Sequence, residues 1–194
     1  WFITPKITYS LTHYNDIKHA RAEIDKSSTR SLPIYSLDTG LIFERNSTVF
    51  GRETEQTLEP RLFYAYIPYR NQRHMPNFDS SSADLNFAEL FTPNKYTGFD
   101  RIANTNQLSA VLTTRYIDSG TGKEWFSATV GQRYYFTDEK VDLYWSNPGK
   151  TKNRSDVLAA SQFSLFEGWR LEGAIQYSTE WSRISKTSAG IRYN

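Results

Sequence analysis

The sequence contains no cysteine and a single methionine. The first absence excludes disulfides and thiolate chemistry within these residues, and it says nothing of compartment. Long apolar runs are also missing. Mean hydropathy is −0.63, and no stretch approaches the roughly 18 apolar residues of a membrane-crossing helix. A helical span is therefore excluded, while a membrane β-barrel stays open because its strands are only half apolar. Charge of one sign is lacking too: a net +2, scattered along the chain, argues against a nucleic-acid surface. No Pro- or Gly-rich linker divides the chain, so 1–194 reads as a single segment. No signal peptide is present and the chain opens directly in a strand pattern, so a mature segment or an excised piece is expected.

Aromatic side chains are plentiful, with 13 Tyr, 12 Phe and 5 Trp, and their placement matters. In "TLEPRLFYAYIPYR", residues 57–70, Leu58, Pro60, Leu62, Tyr64 and Tyr66 alternate with Thr57, Glu59, Arg61, Phe63 and Ala65. A period of two is a strand, with one apolar and one charged side. The same period predicts about eight strands, near 2–14, 32–45, 57–69, 102–117, 124–137, 155–166, 169–179 and 184–193. Connections 15–31, 70–101 and 138–154 are long, whereas 46–56, 118–123 and 167–168 are shorter; only 180–183 breaks the alternation. Such sorting suits an up-and-down meander with one rim outside and one periplasmic.

Lys6, Asp38, Glu44, Glu59, Arg61, Arg115, Arg133, Glu172, Lys186 and Arg192 fall opposite the apolar series. A cation on a lipid face costs roughly 2–4 kcal/mol at the midplane, which would explain the segregation. A half-buried soluble sheet segregates similarly. The aromatics favour the membrane: Tyr14, Tyr35, Tyr69, Tyr116, Trp125, Phe136, Trp169, Trp181 and Tyr193 gather near strand ends, with smaller aliphatics between. Pro5, Pro33, Pro60 and Pro68 cannot donate to a ladder and should mark rims, bulges or weakened pairing.

Signs of catalysis are weak. His13, His19 and His74 have no metal-site spacing, and no Gly-x-Ser-x-Gly elbow occurs. Glu23 with Asp25 and Asp138 with Glu139 read as solvated turns, and "GTGK" at 120–123 reads as a turn between strands. No catalytic residue, metal or cofactor is expected. The long connection 70–101 is different, because it holds Phe78, Phe87, Leu90, Phe91, Tyr96 and Phe99. A disordered polar loop does not carry that apolar load. It is read as an extracellular loop packed over the barrel mouth or against a second protein.

"LEPRLFYAYIPYRNQ", "FDSSSADLNFAELF", "GFDRIANTNQLSAVLTTRY", "VGQRYYF" and "WRLEGAIQYS", in that order, resemble the C-terminal β-barrel domain of the LPS-assembly outer-membrane proteins, the LptD family. The resemblance implies an all-β antiparallel transmembrane β-barrel in the outer membrane of a Gram-negative bacterium, of which this chain would be a section. It implies a non-enzymatic translocon that inserts lipopolysaccharide into the outer leaflet. Its partners would be an LptE-like plug lipoprotein inside the barrel, lipopolysaccharide, outer-membrane lipid, and periplasmic Lpt bridge proteins reached through parts absent from this chain. Glu59, Arg61, Arg115, Arg133 and Arg192 would face the lumen, the plug or the glycolipid, or simply pair with one another. Asp79, Phe87, Phe91, Phe99, Asp100 and Arg101 are candidate loop contacts, and Asp79 and Asp100 could equally cap turns through their own backbone. A general porin or small self-contained barrel, and a soluble β-sandwich binding module, are the alternatives.

Overall fold

The computed structural model describes residues 1–15, 27–143, 152–166 and 168–193. His19, Glu23 and Asp25 lie outside them. Among the described residues there is no α-helix, only a 3₁₀ turn at Glu89–Phe91. Nine strands form one antiparallel sheet: β1 (Phe2–Tyr14), β2 (Ser28–Gly40), β3 (Phe43–Val49), β4 (Arg52–Ile67), β5 (Thr105–Asp118), β6 (Glu124–Tyr135), β7 (Val157–Phe166), β8 (Trp169–Ser178) and β9 (Arg183–Tyr193). Each pairs with its sequence neighbour, except that β4 takes β3 along one half and β2 along the other. β1 and β9 are the two edges and do not pair with each other, so the sheet is open. The expectation of an antiparallel all-β sheet holds in this form.

One connection differs from the expectation. Residues 46–56, expected as a loop, belong to the β3–β4 hairpin, which turns at Phe50–Gly51. "ERNST" and "RETEQT" are polar on both faces, so no apolar alternation betrays them, yet their backbones pair in full. The single strand expected at 32–45 starts earlier, at Ser28, and is interrupted at Leu41–Ile42. Pro60 stands opposite that interruption, its carbonyl accepting from Leu41 N at 3.0 Å. Pro68 follows the end of β4, Pro5 lies on edge strand β1, and Pro33 lies on the part of β2 beyond its pairing with β4. All four prolines therefore avoid a fully paired strand interior. The long connections, 68–104 and 136–156 among them, share one rim, while 119–123 and the β3–β4 turn share the other.

The register places the charged series on one face and the apolar series on the other. The apolar face is left uncovered: Ile7 is 74% exposed, and Leu37, Leu62, Leu112, Val130, Ile175 and Ile191 are exposed as well. Aromatics end this face at both rims. Tyr116, Phe126 and Phe163 line up across β5, β6 and β7 at one level, with Trp169 against Tyr193 nearby. Tyr35, Tyr66, Tyr64 and Tyr134 stand near the other rim, with Leu112, Ala128, Val130, Ala159, Gly173 and Ile175 between the two levels. Phe126 and Tyr134 are eight positions apart on β6, roughly 26 Å along the strand at about 3.3 Å per residue. Burial falls on the polar face instead, under the 68–104 connection.

Candidate functional site: a charged face and the strap that covers it

The charges of the polar face meet one another across strands. The Arg61 guanidinium grips the Asp38 carboxylate at 2.6 and 2.9 Å. Arg115 donates to Glu59 at 3.0 Å and to Glu124 at 2.8 Å. Arg192 approaches Glu172 at 3.8 Å. Glu59–Arg115 and Asp38–Arg61 are diagonal neighbours on adjacent strands, within reach of long side chains. Of the five candidate lumen residues, Glu59, Arg61, Arg115 and Arg192 thus stand in ion pairs, and Arg133 is turned to a different task.

The 68–104 connection folds back over this face as a strap. Its two Phe-Asp elements clasp each other. The Asp79 carboxylate accepts from the backbone N–H groups of Phe99 and Asp100, each at 3.1 Å, and from the Ser80 hydroxyl at 3.2 Å. The Asp100 carboxylate accepts in turn from Phe78 N at 2.5 Å, Asp79 N at 2.9 Å and the Tyr14 hydroxyl at 2.5 Å. What desolvation Asp79 suffers pushes its pKa up, but the donated N–H groups outweigh it and hold the carboxyl below its ordinary value. Gly98 makes the clasp possible. Its φ is +73°, and a Cβ there would lie 2.5 Å from Asp79 Oδ1. Arg101, buried, donates to the carbonyls of Met75 at 2.8 Å and Pro76 at 2.7 Å. Burial lowers its pKa, against which Tyr14 and Asp100 act.

Arg30 ties this clasp to the sheet. Only 2% exposed at the start of β2, it donates to Asp100 O at 2.6 Å, Phe99 O at 2.5 Å, Gln72 Oε1 at 2.9 Å and Thr12 Oγ1 at 3.0 Å. Gln72 passes the connection on to Ile102, donating to its carbonyl at 2.7 Å and accepting from its N–H at 3.2 Å. That use of Ile102 explains why β5 begins at Thr105 and not near 102 as the alternation predicts.

Further along, the 3₁₀ turn is seated on the strands. Leu90 is wholly buried against Val111 and Leu158, above Gly131, where a Cβ would come within 2.8 Å of Leu90 Cδ1. Phe91 packs edge-on to Phe63, with the Arg61 guanidinium 3.7 Å from its ring centre. Arg133 donates to the Glu89 carbonyl, to Thr92 O at 3.3 Å and to Ser109 Oγ at 3.2 Å. Gln107 Nε2 also reaches Thr92 O, at 3.1 Å. Tyr96 fastens the strap to the next connection, its hydroxyl 2.8 Å from Val141 O and 2.9 Å from the Glu139 carboxylate. Burial first, then Glu139, pushes that hydroxyl well above the usual tyrosine range. Lys186 of β9 reaches Asp84 at 3.1 Å.

Among the candidate loop residues, Asp79, Asp100 and Arg101 thus build the clasp and Phe91 and Phe87 pack toward the sheet, while Phe99 is 79% exposed. Sequence reasoning missed Arg30, Gln72 and Gly131. For Arg30 no local signal exists, since it precedes the alternating stretch and its partners lie 42 and 70 positions away. Two cavities remain beside the strap. One, of about 520 Å³, is lined by Lys95, Arg133, Arg154, Glu89 and Glu139 among others. The other, of about 440 Å³, lies among Phe2, Phe87, Phe91, Arg61 and Arg115. Chemically, the face is a polar, ion-paired surface partly filled by a built-in strap.

The family model for LPS transport system D matches residues 1–194. The LPS-assembly protein LptD of Paraburkholderia xenovorans strain LB400 is 42% identical, with all of this chain and 25% of the relative covered. That of Aromatoleum aromaticum is 44% identical, again over all of this chain and 24% of the relative. The Thiobacillus denitrificans protein is 39% identical, over 99% of this chain and 26% of the relative. The chain therefore spans about a quarter of the length of the relatives it matches.

Proposed function

As this chain belongs to the LPS transport system D family, we propose that it forms a section of the wall of a transmembrane β-barrel in the outer membrane of a Gram-negative bacterium. The whole protein would act without catalysis, placing lipopolysaccharide in the outer leaflet. The inverted burial of the sheet carries this reading. Large apolar side chains are exposed on one face while Ser109, Arg133 and Gln107 are buried on the other. In water that arrangement is unfavourable, because each exposed aliphatic forgoes roughly 1.5–3 kcal/mol of transfer free energy. Against lipid hydrocarbon it is the stable one. A soluble β-sandwich would need a second layer on the apolar face, and none is present among the described residues.

In this reading the rim of long connections faces the outside, and the ion-paired face lines the lumen. Glu59, Arg61, Arg115 and Arg192 present it to an LptE-like plug lipoprotein and to the sugars and phosphates of the glycolipid, while Arg133, buried, holds the strap. The open edges of β1 and β9 continue into further strands of the same barrel, and periplasmic bridge proteins are met through other parts of the protein. Photo-crosslinkers at Phe87 on the strap and Tyr135 on the inward face, in the full-length protein in its own membrane, test the reading. Crosslinks to a small lipoprotein are expected. If neither position finds a protein partner and the purified protein conducts ions, the porin alternative replaces it.

A further inference from the structure

We propose that the cavity of about 440 Å³ at the break between β2 and β3 is a sugar subsite, which takes one neutral, polyhydroxylated ring of the glycolipid's saccharide and turns phosphate away. This rests on the reading of the polar face as the lumen of a lipopolysaccharide transporter. The volume lies in the range of small-ligand sites, roughly 300–1,000 Å³. Gly40, Leu41 and Ile42, at the break, help to line it. One side is aromatic. Phe2 lies so close to the backbone of residue 40 that a Cβ there would come within 2.6 Å of its ring, and Phe87 and Phe91 reach the cavity from the strap. Rings placed like this stack on the C–H face of a sugar. The other side is polar, and its charges are already matched. Arg61 gives Nε and Nη2 to Asp38, while Arg115 gives Nε to Glu59 and Nη1 to Glu124. Arg61 is fixed further by the Phe2 and Phe91 rings, whose centres lie 5.8 and 3.7 Å from its guanidinium carbon. Each guanidinium keeps one terminal nitrogen, Arg61 Nη1 and Arg115 Nη2, with no acceptor among the described residues. Glu59 takes both of its bonds, from Arg115 and Thr57, on Oε1, which leaves Oε2 to accept. The Thr113 and Thr129 hydroxyls, 3.0 Å apart, add to the set. Donors and acceptors side by side suit sugar hydroxyls, which are both at once. Phosphate only accepts, and Arg61 and Arg115 between them already hold three carboxylates, so no uncompensated cation is left for it.

The test is saturation-transfer NMR on the full-length protein isolated from its own membrane, with a delipidated, dephosphorylated core oligosaccharide of lipopolysaccharide as the probe. Transfer to the sugar C–H protons is expected, and an excess of inorganic phosphate should leave it unchanged. Thr113→Trp, which fills the cavity from the strand side, and Phe2→Ala, which removes the platform on β1, should each cut the transfer several-fold. Phe2→Tyr should restore it. Should Thr113→Trp fail to fold, the two Phe2 variants decide. Transfer that survives Phe2→Ala and Thr113→Trp undiminished, or that inorganic phosphate abolishes, would overturn the subsite. Equal or stronger transfer to a maltooligosaccharide would mark a nutrient sugar in place of the glycolipid, and a photo-crosslinker at Phe2 that captures protein and no saccharide would give the cavity to the plug; either result overturns the proposal. A bimane label on Thr113→Cys keeps the two readings apart. If iodide quenches it while the unlabelled protein shows no transfer, the subsite alone fails; if only a lipid-borne quencher reaches it, the lumen reading fails.

Discussion

Along β5, Ser109 is fully buried and Val111 nearly so, while Leu112, the next residue, is 41% exposed. The contrast runs across the whole sheet. The charged side has ion pairs, buried arginines and a strap with its own hydrogen-bond network; the apolar side has exposed aliphatics and aromatics. Water-soluble sheets assign these roles the other way round, with the apolar side in the core. On the proposed reading the two faces meet two different surroundings, one wet and one hydrocarbon, separated by a single layer of strands.

Substitutions that trade one side for the other should sharpen the contrast. The largest effect is expected from Leu112→Arg, which would place a cation among Ala110, Val130 and Leu58. Equilibrium refolding of the full-length protein into lipid should lose about 2–4 kcal/mol, whereas Thr113→Arg, one residue on, should lose little. Next comes Arg30→Met, which leaves the Phe99 and Asp100 carbonyls without their donor. A cost of about 2 kcal/mol, read as faster proteolysis within 70–101 with the strands still protected, is expected.

The Asp79 clasp should show a pH window. Its carboxyl is held below the ordinary value of 3.8, so its contribution is complete above that value and is lost as pH falls through the lowered one. Strap protection should therefore stay level from neutral pH down to about 4 and decline below it, while Asp79→Asn should be weakened at every pH. The smallest effect belongs to Arg192→Gln. The pair with Glu172 is long, at 3.8 Å, and largely solvated, so a loss of about 0–1 kcal/mol is expected, shrinking further with salt.

Much of this was legible in the sequence because a strand writes its two faces into alternate positions. Glu59, Arg61 and Arg115 alternate with Leu58, Leu62 and Leu112, and the sorting of long and short connections follows from the same meander. The aromatic load of 70–101 also signalled a packed segment. Its destination was not legible, since Leu90 finds its seat through Gly131 and Val111, which are distant in sequence and carry no local mark. The polar β3–β4 hairpin was missed for a related reason: backbone pairing sustains it where neither face has apolar side chains to alternate. Arg30 is the clearest case, a residue outside the predicted strand whose role exists only once β1, β2 and the strap have met.

The most direct check places a bimane-type fluorophore on Leu112→Cys and, separately, on Thr113→Cys of the full-length protein in lipid vesicles. Lipid-borne quencher should dim the label at 112 and leave 113 bright, and aqueous iodide should do the reverse. Equal quenching of both labels by iodide, with neither reached from the lipid, would contradict a membrane wall with one face in hydrocarbon and the other lining a watery lumen.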